Sequence, residues 1–152
     1  MGQNTAARIA LAPNGGGITF LNVDDQGRLI VTSEVSAVNS VAAFSANEAN
    51  AIATASLPAV AGQTNSLAGF IITGIGATAA GVVLASISGL VGGTLEIPVA
   101  VPAGVNLGIT PIVVNFTQPL PASAADIAIT ITLPALGAGN TNAAVGIWGT
   151  VG

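Results

Sequence analysis

The chain contains no cysteine, no histidine, no tyrosine and no lysine, and its two cations are Arg8 and Arg28. Each absence removes a class of chemistry. Without Cys or His there is no disulfide framework, no structural zinc site and no haem held by either residue. The commonest general base is missing, as are thiol and amine nucleophiles. Two arginines cannot neutralise the roughly 6–10 phosphates of a salt-sensitive nucleic-acid site, so no nucleic-acid partner is expected. Polybasic attachment to a membrane surface fails for the same reason. Aromatic residues are 3% of the chain, which leaves carbohydrate stacking or cleavage little to work with. Charged residues are only 5%, with a net charge of −4, where a soluble domain carries roughly 25%.

What remains is apolar, small and hydroxylated. Hydrophobic residues are 51% of 152, and a chain of this size buries roughly two thirds of its unfolded surface, enough for one core without staples. Its exterior is harder to account for. Designed soluble surfaces are about 25–35% charged, whereas here Ala, Thr, Ser, Asn, Gln and Gly must supply the outside. Such a surface is expected to be covered by copies of itself or by partners.

The mean hydropathy of +0.82 raises the question of a membrane. No charge occurs between Glu48 and Glu96, and a spanning helix needs about 20 apolar residues. That stretch, however, holds Thr73, Thr78, Ser86 and Ser88 together with Gly69, Gly74, Gly76 and Gly81. Glycine with β-branched residues suits strands and turns, and no Lys or Arg flanks either end. A small membrane protein is therefore the weakest of the readings. The segment Met1-Gly2-Gln3-Asn4-Thr5 has no basic region followed by an apolar one, so no signal peptide is expected. Gly2 with Ala6 fails the myristoylation pattern.

Turn residues recur about every eight to twelve positions between short β-branched runs, the spacing of an all-β sandwich or barrel. It predicts strands at 18–23, 28–33, 38–44, 51–57, 66–73, 82–88, 94–101, 112–116, 127–133 and 143–150. Ile127, Ile129, Ile131 and Leu133 share one face, with Ala128, Thr130 and Thr132 on the other. In Val82–Ser88 the alternation is weaker, which predicts a strand buried on both faces. Asp24-Asp25-Gln26-Gly27 predicts a hairpin loop; Pro102-Ala103-Gly104, Pro119-Leu120-Pro121 and Gly137-Ala138-Gly139-Asn140 predict further loops. Pro98 predicts an edge strand or bulge. Ser45 and Glu48 have capping-box spacing, so Ala49–Ala55 is either a strand or a short helix. Five of the eight charges precede Ser36. The expected organisation is an extended arm with a β-hairpin over residues 1–48, then an antiparallel, jelly-roll-like β-sandwich over 49–152.

Chemical sites compete poorly with structural readings. Gly74-Ile75-Gly76-Ala77-Thr78-Ala79 fits a dinucleotide fingerprint, with Glu96 downstream, but Gly81, Val82 and Val83 occupy its helix; a turn between strands is the better reading. Asp24 and Asp25 do not match a calcium loop. Glu96 and Asp126 would form an acid/base pair only if their strands were neighbours. No serine has a histidine or lysine to activate it. No catalytic residue, cofactor or metal is expected. Trp148, the single Trp, is expected to be a core or self-association anchor.

From about Val41 onward the chain resembles small β-sandwich structural proteins of tailed bacteriophages. The resemblance rests on Ala55-Ser56-Leu57-Pro58-Ala59-Val60-Ala61-Gly62-Gln63-Thr64, Gly69-Phe70-Ile71-Ile72-Thr73-Gly74 and Phe116-Thr117-Gln118-Pro119-Leu120-Pro121-Ala122-Ser123-Ala124. Its strongest piece is Leu133-Pro134-Ala135-Leu136-Gly137-Ala138-Gly139-Asn140-Thr141-Asn142-Ala143-Ala144-Val145. The likeness is one of phrases, not of a catalytic motif. It implies a virion component of the capsid decoration, or cement, type: located on the capsid surface, commonly trimeric, and partnered by itself and by the major capsid protein. A tail or fibre component that binds a host receptor is the alternative. On the first reading the arm adds strands to its partner, with Ile18, Phe20 and Ile30 making the contact and Arg8 and Arg28 pairing with acidic groups on the shell.

Overall fold

Ile129, Ile131 and Leu133 are fully buried while Thr130 and Thr132 between them are not, the period-two signature of a strand with one face in a core. In this computed structural model residues 39–152 are described in full, and before them the backbone of three short strands. In chain order the strands are β1 Ile9–Leu11, β2 Thr19–Val23, β3 Leu29–Ile30, β4 Asn39–Phe44, β5 Ala53–Leu57, β6 Asn65–Gly74, β7 Gly81–Leu90, β8 Gly93–Val101, β9 Ile112–Pro121, β10 Ile129–Leu133 and β11 Ala143–Val151.

The chain divides into two compact units, Met1–Ser36 and Ala37–Gly152. In the first, β2 pairs antiparallel with β1 on one side and with β3 on the other. Val23 lies opposite Leu29, so the expected strand pair is present; its connecting loop, Asp24 to Arg28, lies outside the described residues.

The second unit is an all-β sandwich of two four-stranded antiparallel sheets, ordered β4-β11-β6-β9 and β5-β10-β7-β8. Counting within the unit, strands one, eight, three and six face strands two, seven, four and five. That is the strand order of a jelly roll, in which two Greek keys wrap around one core. The core comes from the inner faces of both sheets, with Leu57, Leu67, Phe70, Ile72, Ile87 and Ile147 among its fully buried side chains.

The structure corrects three expectations and decides a fourth, the strand or short helix at Ala49–Ala55, in favour of the strand β5, each for a local reason. β4 registers on β11 from Asn39↔Val151 to Phe44↔Gly146, so residues 39–48 belong to the sandwich, and the division falls after Ser36, not after residue 48. Residues 45–52 form no helix. The Ser45 Oγ accepts a hydrogen bond from the Val145 N–H at 3.0 Å, and the Glu48 backbone pairs with Ala143, so the apparent capping residues serve a neighbouring strand. β9 continues through Pro119 and Pro121, because on an edge strand a missing N–H costs no ladder bond. Finally, β7 is buried on one face only. Ala85 and Ile87 are buried, whereas Val82 and Leu84 are exposed, at 68% and 51%.

Pro98 lies in β8, an edge strand, as its proline predicts. The fingerprint-like run Gly74–Ala79 is the connection from β6 to β7, and no helix follows it. The whole stretch Leu67–Leu95 forms β6, β7 and the start of β8. Among the described residues no helix is long and apolar enough to cross a membrane.

The connections gather at two ends. At one, the β6–β7, β8–β9 and β10–β11 connections bond to one another: the Ala77 N–H donates to the Pro102 carbonyl at 3.1 Å and the Thr78 N–H to the Ala138 carbonyl at 2.8 Å. Asn140, 3% exposed, donates from its side chain to the Ile75 carbonyl at 2.7 Å. At the other end buried Asn65 donates to the Pro58 and Ile127 carbonyls at 2.9 and 3.0 Å, tying two loops together.

Candidate interaction surface

The charged side chains of the sandwich do not assemble. Glu96 lies on β8 and Asp126 in the loop before β10, and β7 stands between those two strands. The Asp126 carboxylate accepts the Gly62 N–H at 2.6 Å, and its own N–H donates to the Gln63 carbonyl at 3.0 Å. Its backbone is left-handed, with φ 62°, a conformation Asp tolerates because its short side chain bonds locally. Asp126 is thus a loop latch. No group of three or more His, Cys, Asp or Glu lies together among the described residues. An open groove of about 250 Å³, lined by Ala100, Pro102, Ile109 and Thr110 among others, has no ionisable side chain in its lining.

The informative features are surfaces. On the outer face of the β4-β11-β6-β9 sheet, one cross-strand row reads Phe44, Gly146, Ile71, Val113. The next reads Ala42, Trp148, Gly69, Asn115. Both glycines are required by close approach. A β-carbon on Gly69 would sit 2.6 Å from the Trp148 ring, and one on Gly146 would collide with the Phe44 ring. An aromatic laid over a cross-strand glycine covers backbone that would otherwise be exposed. Phe44 is nonetheless 70% exposed and Val113 55%, which leaves an apolar patch with no charge in either row.

The outer face of the opposite sheet differs. Thr54, Thr132, Ser86 and Glu96 form one row, and Ser56, Thr130 and Ser88 the next. The Ser56 and Thr130 hydroxyls are 2.9 Å apart. Beyond the row, at one end of β7, exposed Val82 and Leu84 stand opposite Ala100 and Pro98. The β8 and β9 side of the sandwich is also open. Ile97 on β8 and Ile112, Val114, Phe116 and Leu120 on β9 pack on the core yet are only partly buried.

The structure places the expected site residues as follows. Trp148 is half-buried on the outer face of its sheet, between fully buried Ile147 and buried Gly149, so it anchors no core. Phe20 lies in β2 opposite Ala10, and Ile30 in β3 opposite Asn22. Arg8, Ile18 and Arg28 lie outside the described residues. Reading the sequence did not single out Phe44, Val82, Leu84 or Val113; each is an apolar residue in an apolar run, and only the sheet order reveals which face it occupies. The sandwich is the fold class that the sequence predicts, and comparison with family models, curated proteins and solved structures returns no match to this chain.

Proposed function

We propose that this protein is a structural component of a bacteriophage virion, a capsid decoration protein that binds the outer shell and stabilises it. One observation carries the reading: apart from Glu96 both outer faces of the sandwich are apolar or hydroxylated, and its side-chain charges are Glu48, Glu96 and Asp126 alone. A subunit surrounded by copies of itself and by the shell gains from such faces, because burying them desolvates few charges. The jelly roll supports the reading only as fold-level analogy, since it recurs in viral capsid domains. In this role the amino-terminal strands add to the shell and Arg8 and Arg28 meet its acidic groups. The protein needs no enzymatic activity or cofactor.

The deciding experiment compares particles with and without the protein. Loss of genome on heating or at low salt, in particles lacking it, is the expected result. Unchanged particle stability removes the proposal.

A tail or fibre component that recognises a receptor is the second reading. It is favoured by the exposed apolar residues at one loop end, Ile52, Val105 and Leu107, since binding residues concentrate on loops held by a rigid scaffold. Copy number separates the two: hundreds per particle indicate decoration, a handful indicate the tail.

A further inference from the structure

The sandwich has four edge strands, and three of them are blunted against further pairing. β8 carries Pro98 and Glu96, β9 carries Pro119 and Pro121 with a register shift, and β5 is five residues long and runs into Pro58. Prolines, charges, bulges and shortness are the devices by which natural sheets protect their edges. Among the described residues β4, one residue longer than β5, has no proline, charge or bulge. Its six residues, Asn39-Ser40-Val41-Ala42-Ala43-Phe44, include no proline, glycine or charge, and among the described residues no strand pairs with its outer side.

Which backbone groups face outward follows from the ladder. The Ser45 N–H donates to the Val145 carbonyl at 2.9 Å, and Ala43 and Val41 stand opposite Ile147 and Gly149 in the same register. Alternate residues of an antiparallel strand direct their N–H and C=O to opposite sides. Residues 41, 43 and 45 therefore bond to β11, and Ser40, Ala42 and Phe44 present theirs to the open edge.

We infer that this edge is a self-pairing interface, occupied by β4 of a second copy in antiparallel orientation about a two-fold axis. Three properties select a second copy. The free groups are self-complementary: with Ala42 opposite the partner's Ala42, each Ser40 falls opposite a Phe44, and all three residues exchange both backbone bonds. The side chains at the centre are small, so the strands can approach. No residue of β4 is charged, so juxtaposing two copies incurs none of the penalty that like charges directly opposite impose. The apolar patch around Phe44 then continues across the junction. The inference rests on the proposed function only for the premise that copies meet on the particle.

The absence of cysteine makes a direct test available. Residues opposite each other in a hydrogen-bonded antiparallel pair have Cα atoms about 5.5 Å apart, within disulfide range. Ala42→Cys is expected to form a covalent dimer under mild oxidation, while Val105→Cys, at the loop end, stays monomeric. Ala42→Pro removes only an outward N–H, so it is expected to abolish the concentration-dependent dimer seen by sedimentation without lowering the melting temperature. A wild-type chain that sediments as a monomer at every concentration, or as a trimer, overturns the inference. So does Ala42→Cys cross-linking no better than Val105→Cys. Particle stabilisation without the Ala42 cross-link would leave the decoration role standing and remove this interface.

Discussion

Single residues at the two ends of the sandwich carry more of its stability than their chemistry advertises. Asn65 is 1% exposed and its amide satisfies carbonyls of two different loops. Asn65→Ala removes the donor that the two loops share, which is expected to cost about 1–3 kcal/mol, measured as a lower midpoint in denaturant. Trp148 belongs at the other extreme. Because its ring lies over Gly69 on an outer face, Trp148→Ala is expected to cost only about 1 kcal/mol, the scale of a cross-strand pair. Ile131→Ala, from a fully buried site on β10, is expected to cost about 2–5 kcal/mol through the cavity it leaves. Equal losses for Trp148→Ala and Ile131→Ala in one denaturation series would contradict the placement of the indole.

At the scale of elements, the open side of the jelly roll sets an order of local stability. β9 and the first half of β8 show their inner faces partly to solvent, whereas β10 and β11 are central strands with buried inner faces. Amide protons of β8 and β9 are therefore expected to exchange with solvent before those of β10 and β11; the reverse order would mean that this side is covered. Much of this architecture was legible beforehand. Alternation marked the half-buried strand at Ile129–Leu133, although Ile127, expected on its buried face, lies exposed in the loop before it. Pro98 pointed to an edge or a bulge, of which the edge is what forms. The order of strands was not legible, because it depends on which apolar faces meet after folding. That gap explains the errors: Pro119 and Pro121 resemble loop punctuation unless the strand is known to be an edge. Val82 and Leu84 resemble core unless their face is known to look outward. Ser45 and Glu48 keep helix-cap spacing while their hydrogen bonds go to β11 and Ala143. The surface patches were invisible for the same reason, since sequence alone does not separate an apolar residue awaiting a partner from one already buried.

For the whole molecule, charge is the controlling scarcity. Between Leu29 and Gly152 there is no Lys, Arg or His, so this segment contains no salt bridge between its own side chains. Its stability is expected to change little between low and high sodium chloride, and a steep salt dependence in thermal unfolding would contradict that. Acid has an unusual effect here. Acid unfolding is driven partly by positive charge building up as carboxylates are neutralised, and the sandwich has no basic side chain to supply it. Its expected failure at low pH is loss of solubility, greatest near the sequence pI of about 4.1, with strand content retained by circular dichroism. An unfolded but soluble chain at pH 3 would contradict this.

The entry and exit of the sandwich also have a mechanical consequence. Asn39, where β4 begins, lies opposite Val151, where β11 ends. A pull that separates these two points loads the β4–β11 ladder at one extremity, so its hydrogen bonds give way one pair after another, as a zip opens. A pull along the strand axes would instead load every pair together, in shear. Tension applied between Asn39 and Val151 thus meets the sandwich in its weak direction, at a strand whose outer edge is unpaired among the described residues. Seating a neighbour's strand on that edge would add a second row of bonds for the same pull to break.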